Sequence, residues 1–219
     1  VTPTPPSCPA WLRPLVAAAP RLEVPPMLRP RPDARPAAVL ILFGDGADGP
    51  DVLLTERAAT LNAHAGQPAF PGGRIDPEDD GPVDAALREA WEEAGVERDG
   101  VDVLATLPEL YLPHSRHRVT PVVGWWREPS EVAPGHPGEV ATVARVPIAE
   151  LTDPANRLVV RHPSGVTMGP AFQVGGMLVW GFTAGLLTQV LEAGGWDRPW
   201  DRGRVEDLPP EVHDLASRS

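Results

Sequence analysis

Three carboxylates on one turn of helix can hold a hard metal cation, and this chain carries such a set between Gly72 and Val96, in the stretch GGRIDPEDDGPVDAALREAWEEAGV. Gly81-Pro82 marks a helix start, since proline is tolerated in the first turn, where its missing N–H has no helical partner to lose. Gly95 marks the stop, where a left-handed residue commonly closes a helix. At 3.6 residues per turn Glu89, Glu92 and Glu93 fall on one face with Arg88 at its edge. Val83, Leu87, Ala90, Trp91 and Ala94 form the expected apolar stripe opposite. Like charges one turn apart repel by roughly 0.2–0.5 kcal/mol per pair. A bound divalent cation reverses that sign, and Mg²⁺ prefers carboxylate oxygen. Taken alone, Glu-x-x-Glu-Glu reads as a solvated acidic face. The Phe70-Pro71-Gly72-Gly73 turn before it, and Arg88-Glu89 completing the cluster, point to metal chemistry instead.

These residues resemble the box of the Nudix hydrolases, G-x5-E-x7-R-E-U-x-E-E-x-G-U, with U aliphatic. The run from Arg88 to Val96 matches the helical half at every fixed position but the first U, which is Ala90. The loop half departs. Counting from Gly73, five intervening residues lead to Asp79 rather than Glu, and eight residues rather than seven then lead to Arg88. The resemblance implies an α/β fold, an α/β/α sandwich around a mixed β-sheet with the box helix beside it. It implies hydrolysis of a pyrophosphate bridge with Mg²⁺ or Mn²⁺ as cofactor, one to three ions held by Glu89, Glu92 and Glu93 with help from the Gly73 carbonyl. Glu92 and Arg88 are the expected catalytic residues of the box, Arg88 by orienting a glutamate through a salt bridge. The family often adds a carboxylate from a later strand or loop, as metal ligand or general base. Glu139 occupies the matching place, with Glu109 the next candidate.

Upstream, Leu53-Leu54-Thr55-Glu56-Arg57-Ala58, then Gly66 and Phe70-Pro71-Gly72-Gly73, is similar to the coenzyme A pyrophosphatase signature L-L-T-x-R-(S/A)-x3-R-x3-G-x3-F-P-G-G. The spacing agrees throughout, and Asn62 stands where the signature has a basic residue. The segments Val119–Gly124 and Val179–Ala184 also look like that subfamily, so the resemblance runs from about Ala37 to Leu191. It implies a nucleotide-containing pyrophosphate as the small-molecule partner, with coenzyme A first, and ADP-ribose or a nucleoside triphosphate as alternatives. A Nudix-like ligand sensor without catalysis is the third reading, against which the intact glutamate cluster speaks. Arg57, Arg116 and Arg118 are the expected substrate-binding cations, as guanidinium forks for phosphate. Each also fits a plain role, Arg57 as a strand ion pair and Arg116 and Arg118 in a solvated connector. His64 reads as a packing or hydrogen-bonding residue rather than a metal ligand.

The elements that must position these groups follow in order. Residues 1–36 form a proline-rich arm with a short helix around Trp11–Ala18, residues 37–193 the catalytic domain, and 194–219 a tail that packs in part. Expected strands are Ala37–Phe43 and its hairpin partner Asp51–Glu56, then Val101–Leu112 and Arg118–Trp126. Glu139–Val146 runs into a helical turn at Ile148–Leu151, followed by weaker strands at Arg157–Arg161 and Val166–Gln173. From His162 to Leu191 there is no charged residue, but Pro163, Pro170 and Gly175-Gly176 divide the segment. What remains, Met177–Leu191, is shorter than the roughly 20 residues a membrane span needs, and reads as a buried helix.

Composition bounds the rest. In 219 residues, 42% hydrophobic and 22% charged content marks a globular chain. Its net charge of −11 leaves no basic footprint for nucleic acid or anionic lipid, and all 19 basic residues are Arg. An anionic substrate therefore needs local arginine or metal to be held. The single cysteine, Cys8, excludes an internal disulfide and reads as a tethered or exposed thiol in the arm. The run Leu15–Ala19 is too short for a secretory signal, so a cytoplasmic location is the default. A homodimer is compatible with the resemblance, though nothing in the residues requires it.

Overall fold

The computed structural model describes residues 8–58, 66–113, 115–135, 138, 140–162, 164–165 and 167–209. The apolar run expected near Ala37 is the middle of a long strand, β1 (Arg35–Gly46), which turns back through Gly49 into β2 (Gly49–Arg57). The hairpin is in register from Phe43↔Val52 to Gly46↔Gly49, and then its strands diverge. Two short strands fill the wedge: β3 (Pro68–Ala69) pairs with β2, and β4 (Gly72–Arg74) pairs with β1.

The sheet continues through β5 (Val101–Thr106), β6 (Leu110–Leu112), β7 (His117–Trp126) and β8 (Val140–Pro147). β7 runs parallel to β1 from Arg35↔His117 to Phe43↔Trp125, while β5 and β6 pair with β7 and β8 with β2 in antiparallel fashion. The sheet is therefore mixed. The single strand expected over Val101–Leu112 is broken at Leu107-Pro108-Glu109, where proline has no N–H to donate to a ladder.

Alternation along the strands sends two sets of side chains to two faces. Ala38, Leu40, Leu42, Leu53 and Val122 pack against α2 (Pro82–Ala94). Ile41, Phe43, Val52, Leu54 and Val123 pack on the other side with α1 (Arg13–Ala18) and α4 (Gly181–Ala193). This is an α/β/α sandwich. α2 ends as expected at Gly95, which adopts the left-handed conformation at φ +72°. Trp91, however, is 57% exposed rather than part of the stripe. Ala86, Ala90 and Ala94, four residues apart, let the helix lie close on the sheet, and a tryptophan beside them is left at the rim.

The arm contributes to the second face. Leu12 and Leu15 are fully buried, and Cys8, expected to be a tethered or exposed thiol, is 2% accessible, with its thiol pKa raised by burial. Trp11 meets Phe43, Trp125 and Trp196 with ring centroids 6.1, 5.8 and 5.8 Å apart.

After β8 come α3 (Ile148–Leu151) and a second sheet of β9 (Arg157–Arg161), β10 (Thr167–Val174), β11 (Met177–Val179) and β12 (Val205–Asp207), in the order β11-β10-β9-β12. The helix expected from Met177 thus begins at Gly181 instead, because Met177–Val179 pairs with β10 as a strand. A short apolar run reads equally as either. Arg157, buried at the start of β9, donates to Asp197 Oδ1 at 2.9 Å and so holds the tail to this sheet. Among the described residues no helix is long and apolar enough to cross a membrane.

Candidate active site

The carboxylate helix lies over the wedge between β1 and β2. Its register explains why two glycines precede it. A side chain at Gly72 would strike the Ala38 carbonyl, and one at Gly73 would strike the Glu89 carboxylate. Gly73 gives up its side-chain volume to Glu89, and the Gly72 N–H donates to Glu93 Oε2 at 3.2 Å. Backbone and carboxylates are thereby fixed to each other.

Arg88 is the hub. Its Nε and Nη2 donate to the two oxygens of Asp79 at 2.9 and 3.0 Å, a bidentate fork. Nη1 is shared by Glu89 Oε1 at 3.0 Å and Glu92 Oε2 at 3.1 Å. Nη2 also reaches the Arg74 carbonyl at 3.1 Å and stands 3.7 Å from Asp76. The Asp79 hydrogen bonds, with the charges of Glu89 and Asp79, push the Arg88 pKa well above its ordinary value. In return Arg88 holds Asp79, whose side chain is 4% exposed, below its ordinary carboxylate range. Glu89 moves the other way: burial raises its pKa, and Arg88 offsets only part of that rise.

The expected residues divide as follows. Arg88, Glu89, Glu92, Glu93 and Gly73 stand together, and Arg57 joins them, its Nη1 4.0 Å from Glu93 Oε1. The Arg57 side chain is 35% exposed, and its buried Nε meets no hydrogen-bond partner among the described residues. Arg118 pairs with Glu109 at 3.3 Å, and Arg116 turns to the arm, where it bonds Asp33 at 3.0 Å. Glu139, Asn62, His64 and His114 lie outside the described residues. Sequence reasoning missed the fork from Arg88 to Asp79. The signal was available in the acidic residue nearest the place where the resemblance has glutamate.

A divalent cation is tested by these groups. Among the described residues no three acidic, imidazole or thiol side chains stand together as a ready cage, since Arg88 draws Glu89 and Glu92 while Gly72 and Arg57 draw Glu93. The donor chemistry nonetheless fits. The oxygens are hard, Glu89 is desolvated without full countercharge, and the volume left by Gly73 lets its carboxylate lie against the backbone.

Comparison with known proteins agrees with this geometry. The family pattern described as NUDIX domain matches residues 33–164. A protein of Cronobacter sakazakii named uncharacterized Nudix hydrolase NudL is 40% identical over 174 residues, covering 76% of this chain and 86% of that protein. Nudix hydrolase 15, mitochondrial, of Arabidopsis thaliana is 33% identical over 174 residues, 74% of this chain and 59% of that one. Among solved structures, the NUDIX domain of Shewanella oneidensis NrtR complexed with ADP ribose superposes with a TM-score of 0.50 at 18% identity, over 74% of this chain and 89% of that one, which supports the fold.

Proposed function

Because this chain belongs to the Nudix family, whose hydrolases cut a pyrophosphate bond, we propose that it hydrolyses coenzyme A or a derivative to 3′,5′-ADP and 4′-phosphopantetheine. Nudix enzymes generally use divalent metal ions, and Mg²⁺ or Mn²⁺ suits the oxygen donors here. Glu89, Glu92 and Glu93, with the Gly73 carbonyl, would hold the metal. Bound there, a divalent ion supplies charge neutralisation of the diphosphate and a more acidic water. Arg88 keeps Glu89 and Glu92 oriented, and Asp79 keeps Arg88 in place. Gly72 and Arg57 orient Glu93 in the same way.

The observation that carries the substrate class is the segment Leu53–Gly73. Metal chemistry does not need it, yet its Arg57 stands beside Glu93 with a buried nitrogen that has no hydrogen-bond partner among the described residues. A guanidinium so placed can read the 3′-phosphate that distinguishes coenzyme A from ADP-ribose, with Arg118 as a second reader. One charge-assisted hydrogen bond contributes about 1.5–3 kcal/mol, or ten- to a hundredfold. The test is a substrate panel with Mg²⁺ and Mn²⁺, products identified by mass. Coenzyme A should exceed its 3′-dephospho form in kcat/KM, and Arg57→Ala should narrow the gap. Equal values, or preference for ADP-ribose, would sink the coenzyme A assignment and leave the pyrophosphohydrolase standing. Asn62 favours that second reading, since the basic residue of the signature is missing there.

A further inference from the structure

We propose that residues 127–135, which follow β7 on the way to β8, position Glu92 and Glu93 for metal by closing the last turn of α2, and that Gly135 is the positioning residue on which this depends. The inference rests on the metal-dependent reading given above and says what holds two of its ligands. Glu92 and Glu93 stand in the final turn of α2, and no basic residue shares that turn. The C-terminal end of a helix carries partial negative charge and leaves its last carbonyls without helical donors. Carboxylates are disfavoured there, and Glu93 also lies one turn from the like charge of Glu89. Such a turn frays unless donors from outside the helix hold it.

The helix supplies part of the closure, since the Gly95 and Val96 N–H groups donate to the Trp91 and Ala90 carbonyls at 2.9 and 3.3 Å. The connector supplies the rest. The Gly135 N–H donates to the Glu93 carbonyl at 3.0 Å, and the Ala133 N–H to the Ala94 carbonyl at 3.3 Å. The Ser130 hydroxyl donates to the Gly95 carbonyl at 3.0 Å and accepts from the Glu97 N–H at 3.1 Å. Before that, the Glu128 N–H anchors the segment on the Gly100 carbonyl at 3.1 Å, and Val132 packs against the apolar cluster beneath α2. Gly135 comes so near the helix that a side chain there would strike the Glu92 carbonyl. Glu93 is therefore pinned twice, its carbonyl by Gly135 and its carboxylate by the Gly72 N–H at 3.2 Å. Neither flanking strand needs these bonds to join the sheet, because β7 pairs with β1 and β8 with β2. What the bonds fix is the backbone from which the two glutamates project.

The experiment compares Gly135→Ala, which forces the connector off the helix, and Ser130→Ala, which removes only the hydroxyl bridge, with the parent chain. Mn²⁺ binding is measured by calorimetry with no substrate present. Support of a metal ligand is worth about ten- to a hundredfold in affinity, so Gly135→Ala should raise the Mn²⁺ Kd at least about tenfold. Ser130→Ala should raise it about fivefold, the equivalent of one net hydrogen bond. Hydrogen exchange at the Gly72 amide should quicken in both, because its acceptor is the Glu93 carboxylate. Leu12→Ala, on the opposite face, is the comparison for lost stability alone and should leave the Mn²⁺ Kd unchanged. A lower thermal midpoint in Gly135→Ala, with Mn²⁺ Kd and Gly72 exchange as in the parent, would make the connector a plain helix cap and overturn the inference. If Gly135→Ala does not fold, an unchanged Mn²⁺ Kd in Ser130→Ala overturns it. A parent chain that binds no Mn²⁺ overturns the metal reading itself, whereas equal binding by parent and variants overturns this inference alone.

Discussion

The two faces of the main sheet are built by opposite means. On the α2 side, α2 lies close on small residues, and its working groups are held by directional bonds: Gly72 to Glu93, Arg88 to Asp79, Glu89 and Glu92. On the other side Leu12, Leu15, Phe43 and α4 fill space, and Trp11 touches three rings edge-on or tilted. One face fixes positions of charge by directional bonds, and the other supplies bulk apolar burial. On the proposed function, catalysis and stability are divided between the faces, and substitutions on either side test the division.

The largest expected effect is on the carboxylate face. Glu93→Gln removes one charged oxygen and should cut hydrolysis roughly a thousandfold, on the scale of losing a preorganised electrostatic group. Its thermal midpoint should stay near that of the parent chain. Near-normal turnover at saturating Mg²⁺ would show a solvated acidic face and erase the contrast. The reverse holds for Leu12→Ala on the aromatic face, where a fully buried leucine is lost. Chemical denaturation should report a loss of about 2–5 kcal/mol, with kcat per folded molecule unchanged.

A subtler change is Gly73→Ala. Its methyl group would meet the Glu89 carboxylate, the far end of a flexible side chain, so Glu89 must swing away while the backbone stays. Activity should fall about ten- to a hundredfold, the range seen when the support of a metal ligand is lost, with little change in midpoint. A large loss of stability instead would mean that the glycine serves the sheet. The smallest effect concerns pH. The folded-state pKa of Asp79 lies below its ordinary 3.8, so its stabilising bonds to Arg88 are intact above that value. They are lost as pH falls through the folded-state value. In chelator-treated protein, Asp79→Asn should remove about 1 kcal/mol of that acid-dependent loss, flattening the curve below pH 4. An unchanged acid limb would place the sensitivity elsewhere.

Much of the carboxylate face was legible because its information is local. Helix start, stop and the glutamate cluster all lie within Gly72–Val96, and a 3.6-residue period places them. What was not legible needs register. Glu109 meets Thr120 only because β6 and β7 pair antiparallel, and Gly73 meets Glu89 only because β4 wedges beside β1. Trp91 was misplaced because periodicity gives a direction around the helix and not how near the sheet approaches. The Met177 segment was misread for a related reason: apolar residues are wanted by a buried strand and a buried helix alike, and β10 decided between them. The burial of Cys8 and Leu12 was not legible, since nothing in a proline-rich stretch, even one read as holding a short helix, reveals what it will lie against.

The contact of Trp11 with Trp196 has a consequence for how the chain is made. A ribosome adds about 5–20 residues per second, so roughly ten to forty seconds separate the two tryptophans during synthesis. Through that interval Trp11, Leu12 and Leu15 lack the surface that α4 and Trp196 later provide. The nascent chain therefore offers an apolar segment to chaperones until α4 and Trp196 emerge, and the aromatic face closes only then.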